Sequence, residues 1–225
     1  MGLVYGTTTS FQATAGIVQD GLVLNVDAAV KESYSSGTTF YDLMKNNNGS
    51  IVNGPVYDKE NGGKFILDGT NDYINFGTTS VSVQGPLTLD IWAKWSATNG
   101  ARNLAALTSG GSKAIQFGTR NSGVVWRYGG GTNISYTTPT IDQLANWVFT
   151  ADGSNMNVYI DGSLDNSTTT AGNQTGTNGL FMIGSYNGAS EFFGGSVYCA
   201  RLYNRVLTAA EVSRNFNVMR HRFGI

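Results

Sequence analysis

The amino-acid sequence predicts an all-β protein: a two-sheet antiparallel sandwich with one short helix near its C-terminus. Three observations lead there. Composition is the first, since 30 glycines against 3 prolines, with 12% aromatic residues, suit many short strands joined by tight turns. The second is a hairpin signature. Trp147–Thr150 and Met156–Ile160 flank Ala151-Asp152-Gly153-Ser154-Asn155, turn chemistry in which Gly153 supplies positive φ. The third is alternation: Leu87, Leu89, Ile91, Ala93 and Trp95 interleave with Thr88, Asp90, Trp92 and Lys94. That period of two buries the first set and leaves Trp92 on the opposite face. One such sandwich accounts for all 225 residues.

Taken in order, residues 1–20 are threonine-rich and without period, which predicts an extended N-terminal arm ahead of a domain at 21–225. Gly21–Ala28 reads as a strand, whereas 33–43 and 46–50 read as loop. Strands follow at Phe65–Leu67, Tyr73–Phe76, Leu87–Trp95, Leu104–Leu107, Ala114–Phe117, Val124–Tyr128 and Leu180–Ile183. Between them, Gly/Asn/Ser/Thr-rich loops are expected at 96–103, 108–113, 129–140 and 165–179. Asp161-Gly162 ends one strand, and Phe193-Gly194-Gly195 allows close backbone approach before the strand Ser196–Tyr203. Thr208 and Glu211 form a capping box, so the helix starts at about 208, with Val212 and Phe216 toward the core.

Charge and cysteine usage narrow the function classes. With 14 basic and 15 acidic residues the chain has no field to attract nucleic acid or an anionic membrane. No run approaches the roughly 18 apolar residues of a membrane span. Met1-Gly2-Leu3-Val4-Tyr5 lacks the basic and apolar regions of a signal peptide, so synthesis in the cytoplasm is expected. Cys199 stands alone within a strand and is expected to be a small core residue. Arg214, Arg220 and Arg222 in the tail are expected to be solvated.

A resemblance can be stated on these residues. The run Asn146-Trp147, Asp152-Gly153, Val158–Gly162, Ile183-Gly184, Phe193-Gly194-Gly195 and Arg201–Val212 resembles the C-terminal half of laminin-G-like, concanavalin A-like jelly-roll domains. Upstream, Gly16-Ile17-Val18, Asp20–Leu24, Asp27-Ala28, Ser33-Tyr34, Gly37-Thr38-Thr39, Asp42-Leu43, Asn53-Gly54-Pro55, Asn61-Gly62-Gly63 and Leu67–Ile74 occur in the order found in jelly-roll proteins among tailed-phage structural genes, cyanophage and marine phage included. The match covers roughly residues 16–220 and departs at Ala29-Val30 and at Met44-Lys45-Asn46, where Ser-Gly-Asn is usual. The resemblance implies a non-enzymatic virion protein displayed on the particle surface, as capsid decoration or a fibre or spike component. Its arm would bind other virion proteins, its copies would form a homo-oligomer, and its domain would touch host-surface polysaccharide. Bacterial surface proteins carry the same domain, so a bacterial lectin-like module is the alternative, with a glycoside hydrolase third.

Glucanases of this architecture carry Glu-x-Asp-x-x-Glu along one strand; here that pattern is missing, and Asp90 has no acidic neighbour two residues away. The single histidine, His221, lies beyond the helix, away from any serine or from Cys199, so catalytic residues are expected to be none. Two His/Cys residues are too few for zinc, and Gly129-Gly130-Gly131 lacks the Lys-Ser/Thr of a phosphate loop. Asp68, Asn71 and Asp72 supply oxygens at a spacing that suits calcium, or equally shape a hairpin turn. No other cofactor is implied. For carbohydrate, the candidates are Trp92, Trp126, Arg127, Tyr128, Tyr136, Tyr186 and Asn187, aromatic faces beside planar polar groups.

Overall fold

Alternating side chains force two layers, because each strand with one apolar face must bury it against another sheet. The computed structural model of the chain describes residues 16–225 except 84, 110–111, 121–122, 129–131 and 170–177. The side chains of 112–114, 123–128, 132 and 178 are likewise outside the described set. In chain order the strands begin with β1 (Leu22–Asp27), β2 (Thr39–Phe40), β3 (Gly49–Val52), β4 (Val56–Asp58) and β5 (Lys64–Asp68). The middle of the chain supplies β6 (Tyr73–Ser82), β7 (Leu87–Trp95), β8 (Arg102–Ser109), β9 (Ser112–Arg120), β10 (Gly123–Tyr128) and β11 (Thr132–Tyr136). Then come β12 (Leu144–Ala151), β13 (Asn155–Ile160), β14 (Ser163–Thr169), β15 (Asn178–Ile183) and β16 (Gly194–Tyr203), followed by α1 (Ala209–Arg220). The first sheet runs β14-β13-β12-β7-β16-β5-β4 with β1 also on β16; the second runs β11-β10-β9-β8-β15-β6-β3-β2.

The expected sandwich is observed, and its core is the predicted one. Leu87, Leu89, Ile91, Ala93 and Trp95 are buried between the sheets with Leu24, Phe65, Phe76, Phe117, Phe149 and Phe181. The expected hairpin joins β12 to β13, and the Asp152 carboxylate accepts from Ser154 N and Asn155 N to close its turn. Where loops are expected, at 129–140 and 165–179, β11 and much of β14 form instead, as edge strands of polar composition whose pairing comes from neighbours. Likewise β2 and β3 arise in segments read as loop. Both are too short to show a period, and β2 is the edge of its sheet while β3 pairs with β6 and β2.

The C-terminal helix packs on the outer face of the first sheet, not into the core between sheets. Thr208 and Glu211 form the capping box as expected. Glu211 does more than cap: Arg205 Nη1 and Nη2 donate to its two oxygens at 2.9 and 2.6 Å. That hydrogen-bonded guanidinium holds the Glu211 carboxyl at about 2, well below its ordinary 4.5. Val212, Asn215 and Met219 are buried against the sheet, and Phe216 stacks on Trp92 with ring centroids 5.6 Å apart. Under the helix lies a polar layer. Asn146 Nδ2 donates to Asp90 Oδ1 at 2.7 Å, Asn215 Nδ2 to Asp90 Oδ2 at 3.1 Å, and Arg201, fully buried, lies 3.8 Å from the same carboxylate.

Two expectations about the chain ends change. Residues 1–15 of the expected arm lie outside the described residues, but Ile17 and Val18 are buried against the helix side of the sheet. Val18 N donates to Asn215 Oδ1 at 3.0 Å, so the domain starts before residue 21. Arg222 is not solvated: its Nη1 donates to the buried Asp27 Oδ1 at 2.6 Å, and Nη2 to Gly63 O.

Two outcomes follow. Because breaking a buried ion pair leaves a bare charge, Asp90→Ala is expected to cost about 3–5 kcal/mol in urea unfolding, and Asp90→Leu combined with Arg201→Met to cost less than that. Glu211, whose folded pKa is depressed, contributes stability above about pH 4.5 that fades as pH falls toward 2. Discounted for its partial exposure, the loss is about 1 kcal/mol, and Arg205→Ala should remove most of this pH dependence in urea melts at pH 5 and pH 3.

Candidate functional site

With the first sheet capped by α1, the outer face of the second sheet is the broad surface that remains. Ile115 and Phe117 of β9 point into the core, so Gln116 and Arg120 occupy the opposite face. Register lays a row across this face: Arg127, Gln116, Ala106, Met182, Asn75 and Ser50 are successive cross-strand neighbours from β10 to β3. From Gln116 to Ser50 that row spans four strand spacings, about 19 Å. Gln116, Ala106 and Met182 are buried, so the middle of the row is recessed.

A loop between β15 and β16 delivers an acid onto this row. Ser185 Oγ donates to Ser190 O and accepts from Gly188 N, while Asn187 Oδ1 accepts from Ala189 N and Ser190 Oγ. The loop therefore holds its own shape. At its end Glu191 adopts φ 57°, a left-handed conformation unusual for a residue other than glycine. Asn103 N, donating to Glu191 O at 2.8 Å, fixes that backbone. The Glu191 carboxylate then accepts from Asn103 Nδ2, from Gln116 Nε2 at 3.0 Å, and from Arg120 Nη2 at 2.8 Å to each oxygen. Arg120 also donates to Gln116 Oε1 at 3.0 Å. Of the ion pair, Arg120 keeps 31% of its side chain exposed against 15% for Glu191, so the arginine is the more accessible partner. Tyr73 and Phe192, both half-buried, flank the cluster with ring centroids 6.4 Å apart.

The predicted carbohydrate residues divide. Trp92 is fully buried, sandwiched between Phe216 and Phe223, and offers no face to a sugar. Its place outside the core was read correctly; the helix that covers it was not assigned to that face. Tyr136 is also buried, donating from its hydroxyl to Gly118 O at 3.1 Å, and burial pushes that hydroxyl well above its ordinary pKa. Tyr186 is buried in the loop beneath the exposed Asn187. Trp126, Arg127 and Tyr128 lie on β10, opposite Phe117, Gln116 and Ile115, with side chains outside the described residues. Asn103, Gln116, Arg120 and Glu191 went unpredicted. Polar residues on three separate segments leave no local pattern to find.

The Asp68 and Asp72 carboxylates close a turn in which Asn71 takes part through its backbone N–H. Asp68 Oδ1 accepts from Thr70 N at 2.7 Å and from Asn71 N and Asp72 N, and these backbone bonds lower its pKa. Asp72 Oδ2 accepts from Asp68 N, while burial raises the Asp72 pKa. Among the described residues no three His, Cys, Asp or Glu side chains group to hold a metal ion. Burial pushes the Cys199 thiol up to about 12, leaving it no thiolate character at neutral pH. No helix among the described residues is long and apolar enough to cross a membrane.

Comparison with known proteins defines the class. A laminin G-type family model, described as the concanavalin A-like lectin/glucanases superfamily, matches residues 68–213, and the chain belongs to that superfamily. No curated protein matches the chain. Among solved structures, domain 4 of AbnA, an extracellular arabinanase from Geobacillus stearothermophilus in complex with arabinotriose, is 18% identical at a TM-score of 0.70, over 88% of this chain and 99% of that one. Trypanosoma rangeli sialidase with the inhibitor DANA is 17% identical at a TM-score of 0.69, and the 89% of this chain that aligns spans 33% of the sialidase chain. The binding domain of Paraclostridial Mosquitocidal Protein 1 is 14% identical at a TM-score of 0.67, over 88% of this chain and 52% of that one. At these identities the likeness is one of fold.

Removing the acid tests the cluster. Glu191→Ala leaves the buried Asn103 and Gln116 amides without their acceptor and should cost about 2–3 kcal/mol by urea unfolding. Arg120→Ala, at the exposed side of the same pair, should cost under about 1 kcal/mol.

Proposed function

We propose that the chain is a non-enzymatic adhesion domain that binds polysaccharide across the outer face of its second sheet and is carried on the surface of a virion. The observation that carries the binding part is the recessed row with Glu191 fixing Asn103, Gln116 and Arg120 along it. Amides and a guanidinium held in place are donors and acceptors matched to sugar hydroxyls, and holding them in advance lowers the ordering cost of binding. Tyr73 and Phe192 add ring surface at the rim. Domain 4 of AbnA, similar over almost its full length, is described in complex with arabinotriose, which supports a saccharide as the ligand class.

The non-catalytic part rests on charge. Glycoside hydrolysis by the usual route takes two carboxyl groups roughly 5–10 Å apart. The groups described around Glu191 are instead an arginine and two amides, which use its oxygens for positioning. The virion part rests on the order of the short motifs over residues 16–74, which resembles phage structural proteins. In that setting the N-terminal arm attaches the domain to neighbouring virion proteins, and many copies on one particle turn weak single sites into firm adhesion.

A polysaccharide array that includes arabinan tests this reading with the full chain. Retention without release of reducing ends is expected, weakened about tenfold or more in Arg120→Ala. Binding to none of the polysaccharides overturns adhesion, and release of reducing ends overturns the non-enzymatic assignment. Mass spectrometry of purified phage particles tests the location: the protein is expected among the virion proteins, and its confinement to bacterial envelopes overturns that part.

A further inference from the structure

Buried rings dominate this protein, and one does not follow the rule. Among the described residues Tyr41 is the aromatic side chain most exposed, at 47%. It stands at the mouth of a groove of about 390 Å³ lined by Glu32, Tyr41, Asp42, Leu43, Lys45 and Asn48, within the size range of small-ligand sites. None of these residues belongs to the face built around Glu191. Gln116 and Arg120 on β9 lie five strand spacings from β2, about 24 Å, so the groove is separate from the Glu191 cluster, although the row that crosses the sheet ends at Ser50 on β3, next to β2.

The backbone beneath the ring is fixed. Tyr41 N donates to Ser33 O at 2.7 Å, and Ser33 Oγ donates back to Tyr41 O at 2.7 Å. Next to it, the buried Asp42 carboxylate accepts from four backbone N–H groups: Asn25 and Met44 on one oxygen, Asn46 and Asn47 on the other. Asp42 N donates to Asn48 Oδ1, and Asn47 Nδ2 ties the turn to Phe76 O and Thr78 O on β6. Within that wrapped turn Lys45 sits at φ 62°, a strained conformation for a lysine. Asp42 is thus consumed by structure and is not offered to a ligand.

What the groove does offer is a ring, one exposed carboxylate on Glu32, one exposed ammonium on Lys45 and the exposed Asn48 amide. Counting the buried Asp42, the lining carries two carboxylates against one ammonium, so an anion is disfavoured, and the Asp42 oxygens are already taken up by backbone N–H groups. A neutral molecule with an apolar C–H face and several hydroxyls uses all four groups. We propose that the Tyr41 groove is a second saccharide site, taking one neutral sugar residue stacked on the tyrosine ring with its hydroxyls shared among Glu32, Lys45 and Asn48. The ligand class rests on the polysaccharide reading above, while the site itself is independent of the Glu191 face. Two separated sites on one domain raise the strength of attachment to a polymer without tightening either site.

The test is an amide ¹H–¹⁵N titration of the full-length chain with arabinotriose and with the methyl glycosides of glucose, galactose and mannose. Shifts at residues 41–48 are expected with at least one probe, with affinity falling about tenfold or more in Tyr41→Ala and staying near the native value in Tyr41→Phe. The same shifts should persist in Arg120→Ala. Shifts confined to residues around 103, 116, 120 and 191 overturn this second site and leave the first standing. Shifts at neither place overturn both, and shifts at 41–48 that are unchanged in Tyr41→Ala overturn the stacking role.

Discussion

The Asp90 carboxylate beneath α1 is the point on which the rest of the architecture turns. It lies on the outer face of the first sheet, where a charge would ordinarily meet water, and it is instead covered by the helix and bonded to Asn146, Asn215 and, at longer range, Arg201. A buried charge is tolerable only while its partners stay, so the helix is held in register as well as attached. Asn215 extends the tie through Val18 N and the Tyr203 hydroxyl. Trp92, stacked between Phe216 and Phe223, seals the side of this layer. One face of the sandwich is thereby closed by the helix.

On the open face the same physics appears in a different form. Asn103 and Gln116 are nearly as buried as the residues of the core, and such amides need partners. Glu191 supplies them from a loop whose backbone is held in a left-handed conformation. Strain of this kind is kept where the surroundings over-determine it, which happens most often at sites of function. Lys45 at the Tyr41 groove is the parallel case: a turn wound around one carboxylate holds a residue other than glycine at positive φ. Both places put polar groups on fixed backbone, and groups held in advance lower the ordering cost of any contact they make.

Local signals were legible in the sequence and distant ones were not. The β12–β13 hairpin, the alternation of Leu87–Trp95 and the Thr208–Glu211 cap are written within a few residues each, and each forms as read. The turn at Asp68–Asp72 was also readable, since Asx-type bonding is local. Trp92 was placed on the correct face, but its cover comes from the far end of the chain, and periodicity carries no information about what packs there. Tyr136 and Tyr186, both buried, are a related case: a tyrosine in a Gly/Ser/Thr-rich stretch reads as exposed until its hydroxyl or ring is given a place in the fold. The Glu191 cluster draws on β8, β9 and a loop, so only the assembled sheet brings it together. One trace of the Tyr41 groove did exist in the sequence, where Met44-Lys45-Asn46 departs from the pattern the rest of the chain resembles.

A crystal structure of the chain soaked with arabinotriose tests the central claim most directly. Continuous sugar density with intact glycosidic bonds over Asn103, Gln116 and Arg120 is the predicted result. Density absent from that face, or a cleaved product held against Glu191, would contradict the account.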